Sequence, residues 1–222
     1  MAEASIGGLD RRVSYHPAPR GEPGSRVLDL LLTVPALVFV APLLVWVALA
    51  MLVLDKGPIF YAQKRIGLGG REFACLKFRT MAVDADARLV ALLATSASAR
   101  REWDEYQKLT HDPRITRLGR FLRSSSLDEL PQLFNVLAGD MSLVGPRPIV
   151  RAEVGRYGRH IGSYCSVRPG ITGMWQVLGR NRVTYRRRVA MDVLYVRRRS
   201  VLLNMKILLA TAPAVLMRKG AV

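Results

Sequence analysis

Residues 112 to 148, DPRITRLGRFLRSSSLDELPQLFNVLAGDMSLVGPRP, carry the densest grouping of chemically capable side chains in this sequence. Arg114, Arg117, Arg120 and Arg123 precede three serines, the adjacent acids Asp128 and Glu129, and then Arg147 between two prolines. An aspartate in such a place, Asp128, can act as a nucleophile toward phosphorus, because nearby cations offset its repulsion from an anionic substrate. Glu129 beside it can help hold a divalent ion, since Mg²⁺ commonly takes one or two carboxylates and completes its shell with substrate phosphates. The prolines around Arg147 restrict the backbone and can preset a guanidinium for two-pronged phosphate contact; a surface arginine in a rigid turn fits the same pattern.

The acid pair also has a plainer reading. Ser126 with Glu129 three residues on is a capping box that would start the helix LPQLFNVL. Pro131 disturbs it, because with Ser126 as the cap the proline falls inside the helix, where its missing N–H is needed. A start nearer Asp128 places Pro131 harmlessly in the first turn and the acids at the helix mouth. There the positive dipole end lowers a carboxylate's pKa and welcomes phosphate oxygens. A second cluster, VRPGITGMWQVLGRNR, supplies Arg168, Gln176 and Arg180 among glycines, with Trp175 able to face a base or sugar. Structural loops share this composition, so the cluster alone assigns nothing.

These residues need a scaffold. IFYAQKR, the turn GLGG and REFACLKFRTM predict two short strands joined at Gly67 to Gly70. GLGG lacks the Lys-Ser/Thr ending of a phosphate-binding loop. Residues 82 to 109 have helical composition with a solvated polar face. Upstream, Leu30 to Leu54 is almost wholly apolar and long enough to cross a bilayer. Basic residues flank it on both sides, and Pro42 near its midpoint favours a bend, so a re-entrant hairpin satisfies both observations better than a simple span. Residues 1–24 predict a disordered basic arm, 25–56 a re-entrant membrane helix-hairpin, 57–200 a cytoplasmic catalytic domain, and 201–222 a C-terminal amphipathic helix, on the bilayer or on the core. The fold class expected is α+β, a mostly helical membrane-associated domain with a small β-hairpin.

Composition narrows the function. The 222 residues suffice for one core, and 34 Lys plus Arg against 17 Asp plus Glu give a net charge of +17. Such a surplus attracts polyanions: nucleic acid, an anionic bilayer or a phosphorylated substrate. A chain that is also 50% hydrophobic suits membrane plus phosphate better than a soluble nucleic-acid binder. Cys75 and Cys165 predict ordinary reduced thiols, and His16, His111 and His160 lie too far apart to suggest a zinc site.

Taken in order, RVLD at 26 to 29, GPIFYAQKRIG at 57 to 67, FACLKFRTM at 73 to 81, the segment 112 to 148 and RPGITGMWQVLGR at 168 to 180 resemble the bacterial sugar transferase family, the monotopic phosphoglycosyl transferases. The resemblance implies that Asp128 attacks the sugar-bearing phosphate of a UDP-sugar, releasing UMP, and that undecaprenyl phosphate then takes the phosphosugar from the enzyme, initiating glycan assembly. It further implies Glu129 as partner, Mg²⁺ as cofactor at Asp128 and Glu129, and Arg147 as a phosphate contact. Lys77, Arg79, Arg168, Gln176 and Arg180 are the further substrate contacts expected, and Pro42 matches the membrane bend by its distance from Asp29. The partners expected are the UDP-sugar, undecaprenyl phosphate and the bacterial inner membrane, with the catalytic domain facing the cytoplasm and no nucleic acid; a homodimer is left open. This chain departs from the family pattern at Asn204, where an acid is usual, and at the single Arg26 where Lys-Arg is common. With no multi-spanning N-terminal domain, it resembles a minimal catalytic unit. A membrane-tethered polyanion binder would explain the charge but not the acid dyad, and a non-enzymatic scaffold would tolerate Asp128→Asn.

Overall fold

The computed structural model describes residues 23–106, 109–179 and 183–216; the arm expected over 1–24 falls almost wholly outside them, as does Arg180. The apolar run forms α1, Pro23–Leu54, an uninterrupted helix that passes through Pro35 and Pro42. Segment 25–56 is thus helical as far as Leu54, with Pro42 inside the helix, where it deletes one backbone hydrogen bond without ending the helical path. α1 is long and apolar enough to cross a membrane.

Beyond it, β1 (Phe60–Ile66) and β2 (Glu72–Phe78) form the predicted antiparallel hairpin, closed by a tight turn over Leu68–Gly70. The helical stretch divides into α2 (Ala85–Thr95) and α3 (Ala97–Tyr106), and α2 buries no residue, as a solvated helix should. α4 (Arg117–Ser125) and α5 (Gln132–Ala138) follow, then the short β3 (Ser142–Val144). α6 (Val154–Tyr157) and α7 (Ile161–Cys165) lead to β4 (Gly170–Thr172), which pairs parallel with β3. The chain ends in α8 (Met174–Leu178), α9 (Tyr185–Arg198) and α10 (Val201–Leu216). The fold is α+β, mostly helical around two small sheets.

α1 meets this body near both of its ends. Close to its start, Arg26 donates to the carbonyls of Val136 at 2.6 Å and Leu137 at 3.0 Å, capping the C-terminal end of α5. Asp29 accepts from the Ser142 hydroxyl and the Leu143 amide, both at 2.9 Å, which fixes β3. Near its other end, Val47 and Met51 are buried with Phe78 and Leu122. Between these anchors, Val38, Phe39 and Trp46 are exposed. α10 was expected to be amphipathic, but it buries Asn204 and Ile207 while leaving Leu202 and Leu209 exposed, so apolar side chains lie on both faces. Asn204 accepts from the Tyr195 hydroxyl at 2.9 Å.

Both cysteines are free and buried, as expected of reduced thiols. A further core gathers Ile66, Ile149, Tyr157, Ile161, Tyr164 and Val193 beneath the hairpin. Beside it, Asp192 of α9 is 2% exposed and accepts from the Tyr157 hydroxyl at 2.8 Å. Burial pushes the Asp192 carboxyl up to about 7. A carboxyl whose folded pKa lies above its unfolded value favours the fold below about 3.9 and loses that contribution as pH rises through the folded value. Asp192→Asn keeps an acceptor for Tyr157 without the charge. We expect it to stabilise the protein by up to about 4 kcal/mol at pH 8 and by nothing measurable near pH 4. Thermal melts at the two pH values check this, and an equal effect at both would contradict it.

Candidate active site

Four elements bring the acid pair and its cations together. α4 ends at Ser126, which adopts the left-handed conformation (φ 59°, ψ 15°) and turns the chain into a 3₁₀ turn over Leu127–Glu129. Asp128 and Glu129 lie in that turn. Ser126 makes no side-chain cap hydrogen bond, so the capping-box reading fails, and Pro131 stands immediately before α5, where its missing N–H is harmless. Asn135 then clips α5 to the edge of β2, donating to the Ala74 carbonyl at 2.8 Å and accepting from the Leu76 amide at 2.9 Å. The next residue along β2 is Lys77. Its ammonium reaches Glu129 Oε1 at 2.6 Å, and Arg147, from the Pro146–Pro148 turn, approaches the same oxygen at 3.6 Å.

The two acids therefore differ in surroundings although they are neighbours in sequence. Burial pushes Glu129 upward, but Arg147 and Lys77 outweigh it and leave its carboxyl below the ordinary glutamate range. Asp128 makes no salt bridge among the described residues, and burial together with the charge of Glu129 raises its carboxyl above the ordinary range. The lowered value expected of both acids at a helix mouth is found for Glu129 only, where side-chain cations supply it, and Asp128 lies the other way because burial and a like charge raise it. The pair has the form expected of divided labour, one acid compensated and the other held ready.

Both acids line a cleft of about 1090 Å³, ample for a nucleotide-sized ligand, with Lys77, Arg123, Arg147, Trp175 and Gln176 also on its walls. Of the expected contacts, Lys77, Arg147 and Gln176 thus converge with the dyad. Arg79 reaches the same wall but is 7% exposed and donates to the carbonyls of Asp55, Lys56, Pro58 and Met81. It holds the link between α1 and β1, leaving at most one N–H for a ligand. Arg168 stands apart from the cleft and donates to the Gly139 carbonyl at 2.7 Å, beside Arg26 at the end of α5. Its role in this structure is to compensate helix carbonyls. Arg180 lies outside the described residues.

Sequence reasoning missed Asn135, whose signal was only a polar residue on the inner side of an apolar helix. It also missed Thr80, which accepts from Arg123 Nε at 2.8 Å and so aims a cleft arginine. As for a metal, no group of three or more acidic, His or Cys ligands occurs among the described residues. The dyad offers two carboxylates on one turn, a donor set that suits Mg²⁺ sharing its shell with substrate phosphates.

A family model described as bacterial sugar transferase matches residues 22–218. Similar relatives include a UDP-galactose-lipid carrier transferase of Erwinia amylovora, 47% identical over 88% of this chain and 41% of the relative. The undecaprenyl-phosphate galactose phosphotransferase of Salmonella typhimurium is 46% identical over the same shares, 88% and 41%. The exopolysaccharide production protein ExoY of Sinorhizobium fredii is 43% identical over 91% of this chain and 90% of its own length. The chain thus spans about two fifths of the first two relatives and nearly all of the third.

Proposed function

Because this chain belongs to the bacterial sugar transferase family, we propose that it moves a sugar-1-phosphate from a UDP-sugar to undecaprenyl phosphate through a phosphosugar held on Asp128. The observation that carries the proposal is the asymmetry of the dyad: Glu129 is paired with Lys77 and Arg147, whereas Asp128 beside it has no such partner among the described residues. A carboxylate Oδ of Asp128 attacks the sugar-bearing phosphorus, and the bond from that phosphorus to the oxygen bridging the two phosphates breaks. UMP leaves with the electron pair. A phosphate oxygen of undecaprenyl phosphate then attacks the same phosphorus and restores the Asp128 carboxylate. Lys77 and Arg147 neutralise the charge of the diphosphate near the reacting phosphorus. Asp128 and Glu129 are the residues to hold Mg²⁺, which when bound supplies further neutralisation of the diphosphate.

The test is UMP release by the full chain in lipid bilayers, given Mg²⁺, undecaprenyl phosphate and a panel of UDP-sugars. Release dependent on one sugar supports the proposal, and release with none refutes it. Lys77→Met is expected to lower turnover by about 10²-fold, the scale for losing one preorganised cation or donor. It also removes a charge that lowers the Asp128 carboxyl, the higher-lying of the two acids and the one that must be ionised to attack. The acid limb of the pH–rate profile should accordingly move to higher pH, and an unmoved limb would separate Lys77 from Asp128.

The same reading places the enzyme at the bacterial inner membrane, its catalytic body on the cytoplasmic side and α1 dipping into one leaflet without crossing. Anchoring of both Asp29 and Met51 to one body, with exposed Val38, Phe39 and Trp46 between, supports this monotopic placement. Single cysteines at Val27 and Lys56, both exposed, should resist a membrane-impermeant thiol reagent in spheroplasts and react together once the inner membrane is opened. The two native thiols are buried and should contribute little background. Labelling of one site from outside would mean a span.

A further inference from the structure

The turn that carries Arg147 is pinned on both flanks. Before it, the Gly145 amide donates to the Thr172 carbonyl at 2.9 Å, and the Pro146 carbonyl accepts from the Gly170 amide at 2.8 Å. After it, the Ile149 carbonyl accepts from the Ile66 amide at 2.9 Å. The Tyr164 hydroxyl adds to that anchor, accepting from the Ile149 amide at 3.1 Å and donating to the Ile66 carbonyl at 2.8 Å. Between the two anchors, the main chain of Arg147 and Pro148 has one hydrogen-bond partner among the described residues. It is Arg65 of β1, whose guanidinium donates to the Pro148 carbonyl at 2.8 Å. The other terminal nitrogen of Arg65 donates to the Gln63 side-chain oxygen at 2.6 Å, which braces the fork from its far side.

A guanidinium is a costly way to hold one carbonyl. The Arg65 side chain is 14% exposed, and its one ion pair among the described residues, with Glu153, is long at 3.9 Å. Burial, and then the like charge of Arg147, pull its pKa below the ordinary arginine range. A buried, loosely paired cation adds little stability, but a planar fork of fixed donors restrains geometry well. What it restrains here is Arg147, which lines the cleft and approaches Glu129 Oε1 at 3.6 Å while remaining partly exposed. We infer that Arg65 is a positioning residue that fixes the Pro146–Pro148 turn, so that the Arg147 guanidinium stands where the diphosphate of the donor must lie. The inference rests on the phosphosugar transfer proposed above and adds a residue that acts on it through another.

The experiment is a double-mutant cycle on the full chain in lipid bilayers: wild type, Arg65→Met, Arg147→Met and the double variant. Each is assayed by UMP release from the UDP-sugar that wild type uses best, with Mg²⁺ and undecaprenyl phosphate. Methionine keeps an apolar stem at either position and removes the charge and the donors. Arg147→Met should lower kcat/KM for the UDP-sugar by about 10²-fold, and Arg65→Met by about tenfold. In the Arg147→Met background, Arg65→Met should change kcat/KM by less than about twofold, because no guanidinium is left to aim. Equal losses in the two backgrounds overturn the inference, since they would make Arg65 a general support of the fold or a substrate contact in its own right. Wild-type kcat/KM in either single variant overturns it as well. If Arg65→Met does not fold, Arg65→Lys completes the cycle and is read in the same way, since one ammonium cannot hold Pro148 and Gln63 as the planar fork does. Absence of UMP release by wild type with every donor refutes the transfer reading itself, and this inference with it, whereas an active wild type with an additive cycle refutes this inference alone.

Discussion

Asp128→Asn is expected to abolish turnover, by at least about 10⁴-fold in kcat, while leaving the protein folded and slightly more stable than wild type at pH 8. The two halves of this expectation share one cause. Burial and the Glu129 charge make the ionised Asp128 costly in the folded state, which is why its carboxyl lies above the ordinary range. For a raised carboxyl the penalty applies above the folded pKa and vanishes below the unfolded value near 3.9, so the stabilisation by asparagine should fade as pH falls toward 4. On the covalent path proposed above that penalty is unavoidable, because only the anion can attack phosphorus. Donor alone, without lipid acceptor, should release about one equivalent of UMP from wild type and leave a phosphosugar adduct on the peptide containing Asp128. The variant should give neither. Wild-type turnover by Asp128→Asn would refute the covalent path, and equal loss of activity and folding would reduce Asp128 to a structural residue.

The contrast between the legible and the hidden parts of this molecule follows sequence distance. The hairpin was readable because its two short strands and the glycines between them are local. The dyad was readable because its two acids are adjacent, and Arg147 because its prolines announce a rigid turn. The carbonyl contacts of Arg79 and Arg168 were hidden because a guanidinium that holds backbone carbonyls and one that holds phosphate look alike in a string of letters. Each is committed to carbonyls far away in sequence or across a loop. The parallel pairing of β3 with β4 was invisible for the same reason, since each strand is three residues long and the two lie far apart in the chain. The differing pKa shifts of Asp128 and Glu129 were equally out of reach. They depend on burial and on Arg147 and Lys77, which reach Glu129 from distant parts of the chain and pair with it rather than with Asp128.

Gly119 shows how a residue without chemistry can control the site. It sits in α4, where a Cβ would overlap the Thr80 carbonyl oxygen and come within 2.8 Å of the Thr80 Cα. That carbonyl already accepts the Thr116 amide at 3.1 Å, and the Thr116 hydroxyl, which caps α4 through Gly119 N at 2.8 Å, donates to Asp55 at 2.8 Å. Helix and strand end thus meet backbone to backbone, with no flexible side chain to yield at Gly119, and the exit from α1 is tied to them through the Thr116 and Asp55 side chains. Gly119→Ala should cost about 3 kcal/mol despite the better helix propensity of alanine, because overpacking against main chain outweighs a gain of about 1 kcal/mol. The displacement must also reach the chemistry, since Arg123 is held by Thr80 and the turn bearing Asp128 begins where α4 ends. A chemical denaturation midpoint well below wild type, with turnover reduced at temperatures where the variant is still folded, is the expected result. Unchanged stability would show that α4 can slide along β2, and unchanged turnover in a destabilised variant would show that the dyad is positioned by α5 and Asn135 alone.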